Sequence, residues 1–142
     1  MAIRFFEENI RAGLQNKRKL SAFLKEKIET NLAVKKADLT YVFCTDQALL
    51  EKNIAFLNHD TLTDIITFDL SENENNLVAE IYISVERVRE NALIFNVSYQ
   101  QELHRVIFHG MLHLCGFKDK TDKEAAEMRL QESACLQQYF KP

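Results

Sequence analysis

Apolar positions along this chain follow two rhythms, and the rhythm changes mark its elements. Alternation and β-branched or aromatic enrichment predict strands at Ile3–Glu8, Leu39–Cys44, Thr63–Asp69 and Leu77–Ser84. The polar segment 71–76 between the last two has turn composition and predicts a hairpin. Three- and four-residue spacing predicts a helix over Lys17–Leu32, with Leu20, Phe23, Leu24, Ile28 and Leu32 on its buried side. Thr45 can cap a short helix running through Leu49 and Leu50 towards Phe56. Three further helices are predicted at about Val85–Asn96, Tyr99–Leu114 and Asp122–Tyr139. Ser98 to Gln101 and Thr121 to Glu124 both read as capping boxes at helix starts. Four strands, with about five helices gathered mainly towards the C-terminal end, indicate an α+β domain spanning 1–142.

Nothing interrupts that unit. Glycine occurs three times and the single proline is Pro142, so no linker, repeat or low-complexity segment divides the chain. An apolar content of 46% over 142 residues suffices for one core. No apolar run approaches the roughly 18 residues that a membrane span requires. The opening Met-Ala-Ile-Arg-Phe-Phe-Glu-Glu8 has no apolar stretch of signal-peptide length, so a cytoplasmic protein is expected. Cys44, Cys115 and Cys135 are odd in number and lack metal-type spacing, which fits reduced thiols. The net charge of −3 gives no simple polycation argument, but it is unevenly spread. Residues 1–36 carry nine Lys or Arg against four Glu, and the remainder nine against seventeen acids. Lys17, Arg18, Lys19, Lys25, Lys27, Lys35 and Lys36 are therefore either a phosphate-facing surface or a solvated helix face.

The chemistry concentrates in His109-Gly-Met-Leu-His113-Leu-Cys-Gly116-Phe-Lys-Asp119. Two histidines four apart on a helix stand one turn above each other on one face, so their imidazoles can meet one ion. Gly116 can end the helix in a left-handed turn and bring Asp119 back to the same point. Two nitrogens and one oxygen with an open fourth position form a catalytic zinc site. His109, His113 and Asp119 are the expected ligands, on a helix near the C-terminus. The spacing resembles the long zincin motif, but Gly110 occupies the position of the catalytic Glu in those proteases. Leu103, Val106, Ile107, Met111 and Leu114 give the same helix its apolar face, with Arg105, His109 and His113 as a second stripe. Cys115 points to another side and is expected in the core, and His104, one residue off the stripe, is expected to be structural or solvated.

On these residues the chain resembles the YbeY family of bacterial rRNA-maturation endoribonucleases. The 109–119 run is similar to the family's H-G-x-L-H-L-x-G-[YF]-D-H. Residues 60–68, Asp-Thr-Leu-Thr-Asp-Ile-Ile-Thr-Phe, resemble D-x-P-T-D-V-L-S-F, and Ala79–Ser84 resembles the G-D-I-x-I segment. Met128 and Glu132 match a M-x-x-x-E pattern in the last helix. The resemblance implies a four-stranded sheet and a zinc-dependent, single-strand-specific endoribonuclease. It also implies a role in 16S rRNA 3′-end maturation and ribosome quality control, with the ribosome or its small subunit as partner. Two positions depart from the pattern. Asp119 replaces the third histidine, and Leu57 stands where the family has an arginine able to grip phosphate in two places. His59, Lys118 or Arg105 could supply that charge, and Asp64 or Glu80 a base or a partner for the histidines, so the catalytic base is left open. A non-catalytic ribosome-associated zinc module is the alternative reading. A metalloprotease is disfavoured by Gly110.

Overall fold

Among the residues described by this computed structural model, 1–57 and 63–141, there are four strands and five helices, the last three helices consecutive. They are β1 (Ala2–Glu7), α1 (Lys17–Asn31), β2 (Lys36–Cys44), α2 (Asp46–Leu57), β3 (Ile65–Asp69), β4 (Asn76–Ser84), α3 (Val85–Phe95), α4 (Tyr99–Leu114) and α5 (Asp122–Tyr139). The sheet runs β1-β2-β4-β3. β1, β2 and β4 are parallel, and β3 returns antiparallel to β4 as the expected hairpin. Parallel neighbours need a crossover, and α1 supplies it between β1 and β2. β2 begins three residues before the predicted strand. Lys36 and Ala37 pair with Asn76 and Leu77 while Asp38 pairs with Ala2, so the central ladder outweighs their weak strand propensity.

α1 and α4 cover one face of the sheet. Leu39, Tyr41, Phe43, Leu77, Ile81 and Ile83 form its inner surface with Leu20, Leu24 and Ile28 of α1 and much of α4. The Tyr41 hydroxyl donates to the Ile107 carbonyl at 2.9 Å, joining sheet to helix. The other face carries a small cluster of Cys44, Leu49 and Ile66 under α2, whose first turn is capped by the Thr45 hydroxyl. Glu80 lies on this second face, hydrogen-bonded to Tyr82 and away from α4.

α4 departs from the one-sided pattern expected of it. Besides the apolar stripe, Glu102, His104, Phe108, Gly110 and Leu112 are buried, because the helix is wedged between the sheet, α3 and α5. His104 fills this packing: its Nδ1 meets the Gln100 carbonyl at 2.7 Å and its ring stacks on Tyr139. Burial, opposed by that bond, holds its pKa below the usual histidine range, so it is a neutral core residue. Burial likewise pushes the Cys115 thiol up to about 11, and its sulfur rests on Met111. At Gly110 the helix lies close against the sheet. A β-carbon there would stand 3.0 Å from Ile65 Cδ1 and 3.2 Å from two side-chain carbons of Ile81.

Part of the basic stretch is consumed by the fold. Lys19 donates to the Tyr139 carbonyl at 2.8 Å with its ammonium over the Tyr139 ring, and Lys27 reaches Gln138. Both lysines tie α1 to α5.

Candidate active site

Arg105 and His109 leave α4 one turn apart and meet a single carboxylate from α5, that of Glu132. Glu132 is 3% exposed and lies on the buried stripe Met128, Glu132, Cys135, Tyr139. Its Oε2 stands 2.6 Å from His109 Nδ1 and its Oε1 accepts from Arg105 Nη1 at 2.9 Å. Glu102, also buried, takes the other edge of the guanidinium in two bonds of 2.8 and 2.6 Å. Asp64, just before β3, stands 3.7 Å from the same group. Burial alone would raise the Glu132 carboxyl, but the His109 hydrogen bond and the Arg105 charge outweigh it and hold it below the ordinary carboxylate range.

A carboxylate can only accept, so the Glu132 contact fixes the proton on His109 Nδ1 and turns Nε2 outward. Nε2 faces Asp119 Oδ2 at 3.4 Å. Two acceptors face each other there, which favours a cation between them, whether a proton or a metal. Burial opposes the imidazolium, yet Glu132, Asp119 and Asp64 together raise the His109 pKa above its usual value. The donor set also fits a metal. Ligand atoms about 2.0–2.2 Å from a tetrahedral zinc lie roughly 3.4 Å apart, the separation this pair already has.

Both ends of the loop bearing Asp119 are fastened. At the end of α4, Phe117 N–H bonds the Leu112 carbonyl and Gly116 N–H bonds the His113 carbonyl, each at 3.1 Å, with Gly116 at φ +102°. At the start of α5, Thr121 and Glu124 form the predicted capping box in both directions. Ser98 caps α4 in one direction only, through the Gln101 N–H, and the Gln101 side chain lines a cleft instead. Since Gly116 sits at a φ that side chains resist, Gly116→Ala is expected to cost about 1–2 kcal/mol. Urea unfolding midpoints of the two proteins measure this.

His109 and Asp119 are thus brought together, and His113 is not joined to them. Its imidazole is exposed one turn on, and among the described residues no set of three His, Cys, Asp or Glu side chains is arranged to grip an ion. Asp64 reaches the site, Glu80 does not, and Lys118 is exposed without an ion-pair partner among the described residues. The Leu57 side chain and residues 58–62, with His59 and Asp60, lie outside the described residues. Sequence reasoning assigned no role to Glu102 or Glu132. Glu132 was singled out only by the M-x-x-x-E match, and its place on an otherwise apolar helical stripe was a further signal.

Two clefts meet at Arg105, His109 and Asp119. One, of about 290 Å³, extends to Thr63 and Asp64, and the other, of about 450 Å³, runs between α5 and the α3–α4 corner. Together they form a channel lined by the His109–Asp119 pair where they meet.

Comparison with known proteins agrees with this architecture. The family model described as Endoribonuclease YbeY matches residues 5–140. A Parabacteroides distasonis Endoribonuclease YbeY is 42% identical over 136 residues, covering 96% of this chain and 94% of the relative. Its counterpart in Flavobacterium johnsoniae is 52% identical over 95 residues, 67% of this chain and 68% of the relative. The solution structure of a Thermotoga maritima protein superposes with a TM-score of 0.60 at 27% identity, over 98% of this chain and 89% of that one. Matched over nearly its whole length, with the helix, turn and carboxylate of the motif in place, the chain belongs to the YbeY family of metal-dependent endoribonucleases.

Proposed function

We propose that this endoribonuclease hydrolyses phosphodiester bonds of single-stranded RNA with one divalent ion, zinc, held by His109, His113 and Asp119. The observation carrying this reading is the outward-facing His109 Nε2 set 3.4 Å from Asp119 Oδ2 in an open channel. His113, exposed on the next turn, is the third ligand after a side-chain rotation. Residues 1–142 act as one metal-dependent hydrolase domain. The cellular substrate is the 3′ end of 16S rRNA, reached in the cytoplasm at the ribosome or its small subunit. Relatives named Endoribonuclease YbeY support the RNA substrate, and no helix among the described residues is long and apolar enough to cross a membrane.

When bound, such an ion supplies Lewis acidity, drawing charge from a phosphate oxygen and lowering the pKa of water. The chain does the rest. Glu132 keeps the Nδ1 proton of His109 in place, so Nε2 stays a donor of electrons. Arg105, locked by Glu102 and Glu132, holds that carboxylate charged and gives the channel one fixed positive group. Asp64, which lines the channel, is our candidate for taking a proton from an attacking water. Gly110 supports hydrolysis of RNA over peptide. The glutamate that zincin proteases carry there is absent, and a side chain at this position would press on Ile65 and Ile81.

The test is zinc-loaded protein offered single-stranded RNA, duplex RNA and casein in parallel. Cleavage of the single strand alone, stopped by chelation and restored by zinc, is the expected result. Hydrolysis of casein would convert the reading to a protease. No turnover of any substrate, with unfolding on chelation, would make the zinc structural.

A further inference from the structure

α3 ends on three exposed apolar side chains, Leu93, Ile94 and Phe95, none of which joins the core. Phe95 differs from its neighbours in also lining the larger cleft, together with Arg105, His109 and Asp119. Its position is fixed by the backbone: Asn96 adopts a left-handed conformation at φ 56°, and its N–H closes the helix on Ala92 and Leu93. The ring is 56% exposed and packs on no other ring among the described residues. On the α5 wall of the same cleft lies Arg129, exposed and without an ion-pair partner among the described residues. An exposed aromatic face, a free guanidinium and a hydrolytic centre thus share one cavity.

We infer that Phe95 is a stacking platform for one unpaired base of the RNA substrate, with Arg129 meeting the phosphate beside it. This rests on the endoribonuclease reading of the site and adds where the substrate lies. A base has a flat apolar face whatever its identity, so an aromatic ring binds it without sequence preference. In a duplex that face is already covered by neighbouring bases, so the platform rewards only unpaired strands. A protein helix seated on the patch would cover Leu93 and Ile94 but has no use for Arg129 and the channel beyond it. The continuity of Phe95 with the cleft therefore favours a nucleotide. A strand stacked on Phe95 continues past Arg105 and His109 towards Asp64, which places the scissile phosphate beside the His109–Asp119 pair.

The experiment measures binding and turnover of a short labelled oligouridylate, with an abasic oligonucleotide of equal length as control. Phe95→Ala is expected to weaken binding of the oligouridylate about tenfold and to raise KM more than it lowers kcat. Phe95→Trp should restore both. The abasic oligonucleotide should bind wild type and Phe95→Ala equally. Arg129→Gln should reduce the slope of log affinity against log salt by about 0.7, one phosphate contact on a single strand. Equal affinities of wild type and Phe95→Ala for the oligouridylate, with cleavage intact, would overturn the platform and leave the enzyme assignment standing. A wild type that neither binds nor cleaves would instead overturn the assignment on which the platform rests.

Discussion

Glu132→Ala should cost the fold about 3–5 kcal/mol, because it removes the buried carboxylate that Arg105 and His109 share. Glu132 is the common partner of Arg105 and His109, and each contact is shorter than 3 Å. Arg105 retains Glu102 after the change, whereas His109 loses the bond that sets its tautomer. Urea unfolding at several pH values tests the argument in metal-free protein. The His109 hydrogen bond and the Arg105 charge hold the carboxyl of Glu132 below the ordinary carboxylate value of about 4.5, so its contribution is complete above that pH and lost as pH falls through the lower folded value. His109 is raised above 6.5, so its contribution is complete below 6.5 and lost as pH rises through the higher folded value. The gap between wild type and Glu132→Ala should accordingly peak between about pH 4.5 and 6.5. A gap that stays constant from well below pH 4.5 to well above pH 6.5 would show that Glu132 acts by packing alone. Glu132→Gln, which keeps the shape, should cost less than Glu132→Ala and still disturb zinc affinity.

Asp119→Ala should do the reverse, sparing the fold and losing the ion. The Asp119 side chain is 43% exposed and its contact with His109 is 3.4 Å long, so its loss should move stability by at most about 1 kcal/mol. Zinc affinity should fall by more than about 100-fold, beyond the 10–100-fold that follows loss of a hydrogen bond supporting a ligand. RNA cleavage should fall with it. Zinc content measured after dialysis decides the matter: wild-type content in Asp119→Ala would remove Asp119 from the ligand set. His113→Ala, measured alongside, should resemble Asp119→Ala, since its exposed imidazole holds no structure together.

Much of this was legible because it is local. Helix spacing, the caps at Thr45, Ser98 and Thr121, and the turn at Gly116 are set by neighbours within a few residues, and each appears where the sequence places it. His109 and Asp119 were readable for the same reason, as both belong to one helix-and-turn unit. Glu132 was not, since it lies 23 residues from His109 and 27 from Arg105, and nothing near it announces those partners. The early start of β2 and the burial of α4 on several sides escaped similarly, because both are imposed by elements distant in the chain. Gly110 was visible as a missing glutamate, but its cause, the pressure of Ile65 and Ile81, is a property of the packed sheet.

Around the channel stand Asp64, Glu102, Asp119 and Glu132, with Arg105 and Arg129 as the only guanidinium groups lining it among the described residues. A nucleic acid approaching this surface meets an excess of its own sign, and the electrostatic work of entry opposes it. Two elementary charges placed between His109 and Asp119 cancel that excess. A divalent ion held by the proposed ligands would therefore favour binding of the strand after the cation. Raising divalent concentration should tighten RNA binding at constant ionic strength, although added cations ordinarily compete with a protein for phosphate.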